Sequence, residues 1–243
     1  MTAQYIHFAR VYDKWMQNVD YTEWWHYLAT TFSLSKGMRV LELGCGTGSL
    51  TEQMLRAGLD VTATDTSSAM LTQAEQKVRS YPHSRLLCLD MRRLPQDLGL
   101  YDVAIAACDV VNYLRGTDEL ANFLRGLRPL LKTDGVLLFD VHGPGRMTEW
   151  RNGPYYNRVG ENSCYMLHVT LKDTRIAQRL TGFVRGTADT WTRFDELHRQ
   201  TYFCQELLDS ALIDNGFAKT QFYEFGAQNK PSESSLRLQV AAR

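Results

Sequence analysis

The chain has 243 residues, 44% of them apolar, which is enough for one α/β core with additions. Its 27 Lys and Arg balance 27 Asp and Glu, so no basic excess marks a nucleic-acid surface. The cluster Arg125, Arg128 and Lys132 reads as the solvated face of a helix. No apolar run is long enough to predict a membrane span, and the N-terminus lacks the basic start and apolar core of a secretion signal. Five cysteines (Cys45, Cys88, Cys108, Cys164 and Cys204) form no C-x-x-C pair and read as reduced, small core residues of a cytoplasmic protein. The histidines show no zinc spacing, so no metal is expected.

Two amphipathic helices open the chain. Phe8, Val11, Tyr12 and Trp15 recur at helical spacing, and a second helix follows with Asp20 and Glu23 as a capping box. From 38 to 141 strand and helix alternate. "MRVLEL" is a buried strand; "SLTEQMLRAG" is a helix with Ser49 and Glu52 as a second capping box and Gly58 as its stop. "DVTATD", "RLLCLD", "YDVAIAA" and "VLLFDV" are further strands, with "SSAMLTQAEQKVRS" and "TDELANFLRGLRPLLK" as helices. Pro129 bends or ends the latter, and Asp134-Gly135 reads as a turn. Such alternation predicts a parallel sheet covered on both faces. Between Pro144 and about Phe203 the pattern turns β-rich, as in an antiparallel insertion. A helix ending at Asn215-Gly216 and two last strands close the chain. The whole reads as one domain: a helical cap (1–37), a Rossmann-like core (38–143 and 204–243) and a β-rich insertion (144–203) that serves as lid, acceptor pocket or subunit contact.

Chemistry concentrates at residues 40–51, "VLELGCGTGSLT". A strand that turns through glycines into a helix presents backbone N–H groups and a helix N-terminus to a ligand. A dinucleotide fingerprint needs its third glycine one position later than Gly48, and does not require Glu42. "LELGCGTG" instead resembles motif I of class I S-adenosylmethionine-dependent methyltransferases. "VTATDTSSAML", "CLDMRRLP" and "YDVAIAACDVVNYL" resemble that family's next motifs in order and spacing. The resemblance covers about residues 38–141 and implies a seven-stranded sheet with an antiparallel last strand. It implies Asp65 on the ribose hydroxyls, Thr66 and Met70 as further contacts of that segment, and Asp90 with the Met91 backbone at the adenine. It further implies Gly44 and Gly46 in the cofactor loop, Glu42 at the methionine end directly or through water, and Asp109 and Asn112 after the fourth strand. The N-terminal segment resembles the cap of small bacterial small-molecule methyltransferases, which implies Tyr12, with Tyr5 beside it, over the methionine part.

The chemistry of the cofactor agrees. A carboxylate suits a ribose diol, and aromatic rings with a carboxylate suit a sulfonium cation. Tyr12, Trp15, Asp109 and Tyr113 can supply that set. Asp109 and His142 are the candidate bases for an acceptor that must lose a proton. Trp15, Trp24 and Trp25 read first as helix-packing core, and Glu196 and His198 as a polar strand face. The expected activity is methyl transfer to an N, O or S atom of a small molecule, with a homodimer possible. A non-enzymatic binding module or a nicotinamide enzyme is the alternative. A nucleic-acid acceptor is disfavoured by neutral charge and by the absence of prolines in "CDVVNY".

Overall fold

The computed structural model describes residues 8–186 and 190–243. Helices α1 (Phe8–Trp15) and α2 (Tyr21–Phe32) precede the first strand. Asp20 caps α2, its carboxylate accepting the N–H groups of Thr22 and Glu23. The alternating segment then forms β1 (Arg39–Leu43), α3 (Ser49–Arg56), β2 (Asp60–Asp65), α4 (Ser68–Val78), β3 (Ser84–Cys88), β4 (Tyr101–Ala106), α5 (Thr117–Leu127) and β5 (Leu131–His142). Helix α6 (Pro144–Trp150) leads into β6 (Tyr155–Val159), β7 (Ser163–Lys172), β8 (Arg175–Arg185) and β9 (Trp191–Thr201). The chain closes with α7 (Gln205–Asp214), β10 (Thr220–Glu224) and β11 (Arg237–Ala242).

The larger sheet has the order β10-β11-β5-β4-β1-β2-β3, and β11 alone runs antiparallel to its neighbours. This is the Rossmann-like sheet expected. Its central strands are near-continuously apolar because helices cover both faces. On one face Leu120, Phe123, Leu124 and Leu127 of α5 and Leu208 and Leu212 of α7 are almost wholly buried. On the other lie Trp24 and Leu28 of α2 and Leu50, Met54 and Leu55 of α3. Each such side chain contributes about 1.5–3 kcal/mol by leaving water.

The expected antiparallel insertion forms a second sheet, β6-β7-β8-β9. Helix α1 packs on it: Val11 and Trp15 cluster with Leu180 and Phe194, and the Trp15 indole donates to Ser163 Oγ at 3.0 Å. The same end of α1 is also tied to the glycine loop and α4 beside the larger sheet. Asp13 accepts from Thr47 Oγ1 (2.5 Å) and pairs with Lys77 Nζ (2.7 Å). The cap helix therefore spans the gap between the two sheets.

Four local expectations differ from the structure. Gly48, in the left-handed region, is the N-cap of α3, and no side-chain cap bond forms. Ser49 instead sits one position inside the helix, where its hydroxyl accepts from Lys77. Asp134-Gly135 does not end a strand; β5 runs through it, and the irregularity appears as a register shift between Tyr101↔Leu131 and Val103↔Val136. The segment after Pro144 begins with a helix, with Pro144 in its first turn where the missing N–H costs nothing. Of the cysteines only Cys45 is buried, and Cys88 is exposed.

Candidate active site

A cavity of about 890 Å3 lies beyond the carboxyl ends of β1, β2, β4 and β5, roofed by α1 and the second sheet. That is where ligands bind in open parallel sheets. Gly44, Gly46, Asp65, Thr66, Met70, Asp90 and Met91, the residues the resemblance assigns to the cofactor, line one end. The backbone explains the glycines. Both adopt positive φ; a Cβ on Gly44 would come within 2.5 Å of Val110, whereas a Cβ on Gly46 would meet nothing within 4 Å. Gly44 thus allows close packing behind the loop, and Gly46 leaves bare backbone for a ligand.

Asp65 shapes this loop. Its Oδ2 accepts the Gly46 N–H at 2.9 Å and its Oδ1 the Ser67 N–H at 2.8 Å. Burial raises its pKa against those bonds. Asp90 accepts from Arg92, and that pairing outweighs burial and lowers its pKa. Glu42 does not reach the main cavity. It sits 2% exposed behind the glycine loop, accepting from Thr51 Oγ1 at 2.5 Å, and burial pushes its pKa up to about 7. A void of about 30 Å3, shared with Tyr12, Tyr21 and Gly44, adjoins it. That is room for roughly one water, which suits a contact through water rather than a direct one.

Tyr12, Trp15, Asp109 and Tyr113 meet on the same cavity. Trp15 is both wall and core, so the helix-packing reading covers only part of its role. Tyr5 lies outside the described residues. Asn112 is not on the wall. It is fully buried, its Nδ2 donating to Thr201 O at 2.7 Å and its Oδ1 accepting the His142 N–H at 3.1 Å. Both amide ends are spent bracing the turn after β4 against β9 and β5.

Asp109 sits in the left-handed region at the mouth of β4. Its oxygens accept from Arg237 Nη2 (3.1 Å) and Gln200 Nε2 (2.5 Å). Behind it, buried Asp140 accepts from the Asp109 N–H at 2.9 Å and from Arg237 Nη1. Burial opposes the charge on Arg237, yet the Asp140 and Asp109 carboxylates hold its pKa above the ordinary value. His142 lines the cavity, packed edge-on to Trp150 with its Nε2 2.9 Å from Gln200 Oε1, and burial lowers its pKa. The far wall comprises Trp150, Tyr156, Tyr165, Leu167, Gln178 and Leu180. His198 is also here, not on an exposed polar face: its Nδ1 is 3.0 Å from Tyr113 Oη, and Glu196 shares its buried side of β9. Gln178, Gln200 and Arg237 escape sequence reasoning because nothing local marks them. Only their shared place on inward-facing strand positions does. Among the described residues no cluster of His, Cys, Asp or Glu is arranged to hold a metal.

A strand-end acid over a bare glycine turn, a second acid one strand further, and an aromatic-lined carboxylate fit S-adenosylmethionine. Residues 40–135 match the methyltransferase domain family. YqeM of Bacillus subtilis (strain 168), which bears the name of a methyltransferase, is 30% identical over 236 residues, spanning 96% of this chain and 94% of that protein. An S-adenosylmethionine-dependent methyltransferase from Clostridium acetobutylicum superposes with a TM-score of 0.86 at 25% identity, over 98% of both chains. KedS8, a sugar N-methyltransferase from Streptoalloteichus, superposes with a TM-score of 0.79 at 19% identity, over 96% of this chain and 92% of that one. The chain belongs to the class I S-adenosylmethionine-dependent methyltransferases. It is an enzyme of that family, and S-adenosylmethionine is its cofactor.

Proposed function

We propose that the enzyme methylates an N, O or S atom of a small molecule. One observation carries this reading: the cofactor end and an aromatic, side-chain-rich end share a single cavity of about 890 Å3. That volume is near the top of the ~300–1,000 Å3 range of small-ligand pockets, so two small molecules can meet in it. The fold is shared with a sugar N-methyltransferase, an acceptor class of suitable size and polarity. Zero net charge speaks against a polyanionic acceptor.

Bound S-adenosylmethionine supplies a methyl group already activated on a sulfonium. In this reading the protein orients, desolvates and handles one proton. Asp65 accepts the ribose hydroxyls, and Asp90 with Met91 borders the adenine. Tyr12, Trp15 and Tyr113 set aromatic faces around the sulfonium, with the Asp109 charge nearby. Asp109 is a poor base because Arg237 and Gln200 occupy its oxygens. His142, kept neutral by burial, is the better proton acceptor. The test is calorimetry with S-adenosylmethionine, followed by a panel of small amines, hydroxy compounds and thiols scored for S-adenosylhomocysteine by mass spectrometry. Turnover with a panel member is expected. Cofactor binding with transfer only to protein or nucleic acid would overturn the small-molecule reading.

A further inference from the structure

Gln200, on β9, is hydrogen-bonded to three side chains that line the cavity. Its Nε2 donates to Asp109 Oδ2 at 2.5 Å, its Oε1 accepts from Gln178 Nε2 at 2.7 Å, and the same Oε1 lies 2.9 Å from His142 Nε2. Gln200 itself is only 4% exposed, so these partners replace water. The orientation of its amide follows from chemistry. A carboxylate paired with Arg237 accepts hydrogen bonds and donates none, so the NH2 group must face Asp109. The amide oxygen then faces His142. An oxygen without a hydrogen cannot donate, so the His142 proton resides on Nε2 and the lone pair on Nδ1. The ring is packed on its edge: Trp150 lies against the imidazole with ring centroids 4.8 Å apart.

We propose that Gln200 is a positioning residue that holds His142 as the Nε2–H tautomer and so makes Nδ1 its proton-accepting atom. The inference rests on the methyl-transfer reading above. The charged groups around the ring come from three elements. Asp109 in the turn after β4 and Asp140 on β5 favour the imidazolium; Arg237 on β11 opposes it, as does burial, and burial prevails. His142 is therefore neutral near neutral pH and free to take a proton. For an N–H or O–H acceptor the balance is simple. The acceptor's electron pair forms the bond to the methyl carbon, the carbon–sulfur pair returns to sulfur, and the acceptor's proton passes to Nδ1. The resulting imidazolium keeps its Nε2–H on Gln200 and lies 3.9 Å from Asp109 Oδ2, whose charge offsets it.

The test is a long-range 1H–15N correlation spectrum of the full, uniformly labelled protein with S-adenosylhomocysteine added. The His142 signals are assigned by their loss in His142→Gln. The unsubstituted protein is expected to show a protonated Nε2 and an unprotonated Nδ1 at pH 7.5. Gln200→Met, close in volume, is expected to give a mixed tautomer. A protonated Nδ1 in the unsubstituted protein would overturn the proposal, and so would an unchanged tautomer in Gln200→Met. The first outcome does not depend on Gln200→Met folding; it needs only the assignment from His142→Gln. Calorimetry of S-adenosylmethionine on the same sample separates the two readings. If that binding is absent, the methyl-transfer reading fails whatever tautomer His142 holds.

Discussion

The two sheets differ in what they ask of their residues. In the seven-stranded sheet the central strands are buried on both faces, and the cavity there is lined mostly by turns and strand-end acids. In the four-stranded sheet burial alternates. One face carries Leu180, Phe194, His198 and Gln200 inward, while Tyr155, Val159, Met166 and Trp191 remain exposed. The first sheet borders the cavity with backbone geometry that few side chains can satisfy. The second contributes replaceable side chains. Backbone demands thus concentrate on one side of the cavity and side-chain chemistry on the other.

The contrast can be broken most sharply at Gly44. Gly44→Ala places a methyl group 2.5 Å from Val110 at positive φ, so a loss of about 2–4 kcal/mol in chemical unfolding is expected, with loss of cofactor binding. Gly46→Ala has open space and should lose about 1–2 kcal/mol from backbone strain alone. Equal effects would mean that the loop is not packed as described. Next is Asp65→Ala, expected to weaken S-adenosylmethionine about tenfold or more in calorimetry, on the order of 1–3 kcal/mol. Unchanged affinity would remove the ribose assignment. Glu42 supplies a test of sign. Its folded pKa of about 7 exceeds the ordinary 4.5, so the folded state holds the proton more tightly and stability falls as pH rises through that window. Glu42→Gln should therefore stabilise the ligand-free protein by about 1–3 kcal/mol at pH 8 and leave it unchanged near pH 4. A loss at pH 8 instead would show that the buried carboxylate is ionised and favoured in the folded state. The smallest effect is expected at Asp13, half exposed, where Asp13→Ala removes the tie between α1 and Lys77 for about 1 kcal/mol or less. Proteolysis near the N-terminus should speed up, while unfolding of the seven-stranded sheet stays the same.

The same division decides what could be read from the sequence. The strands, Gly58 and Asn215-Gly216 as helix stops, and the Asp20 cap were legible because local propensity and fold agree there. The Ser49 capping box failed because Gly48, free to take positive φ, captured the cap, and the Ser49 hydroxyl found Lys77. Asp134-Gly135 was misread because a turn dipeptide also serves as a strand irregularity. At the site, the acids at the ends of β2 and β4 stood in ordered motifs. Asn112 stood in one too, yet its burial shows that it braces the turn rather than lining the cavity. Glu196 and His198 alternate as a surface strand would, and sequence could not show that α1 covers that surface. Gln200 and Arg237 reach Asp109 from 91 and 128 positions away, a pairing no local pattern shows.

Those separations bear on how the molecule comes together. The Trp15 indole meets Ser163 across 148 positions, and Arg237 reaches Asp109 across 128. Contacts so distant in the chain pay for loop closure before they return any stabilisation. In refolding, α3 to α5 with their parallel strands can organise first, leaving α1 undocked until β7, β8 and β9 exist to receive it. Competence to bind the methyl donor should therefore lag behind the recovery of secondary structure. A folding intermediate would hold the glycine turn without its roof.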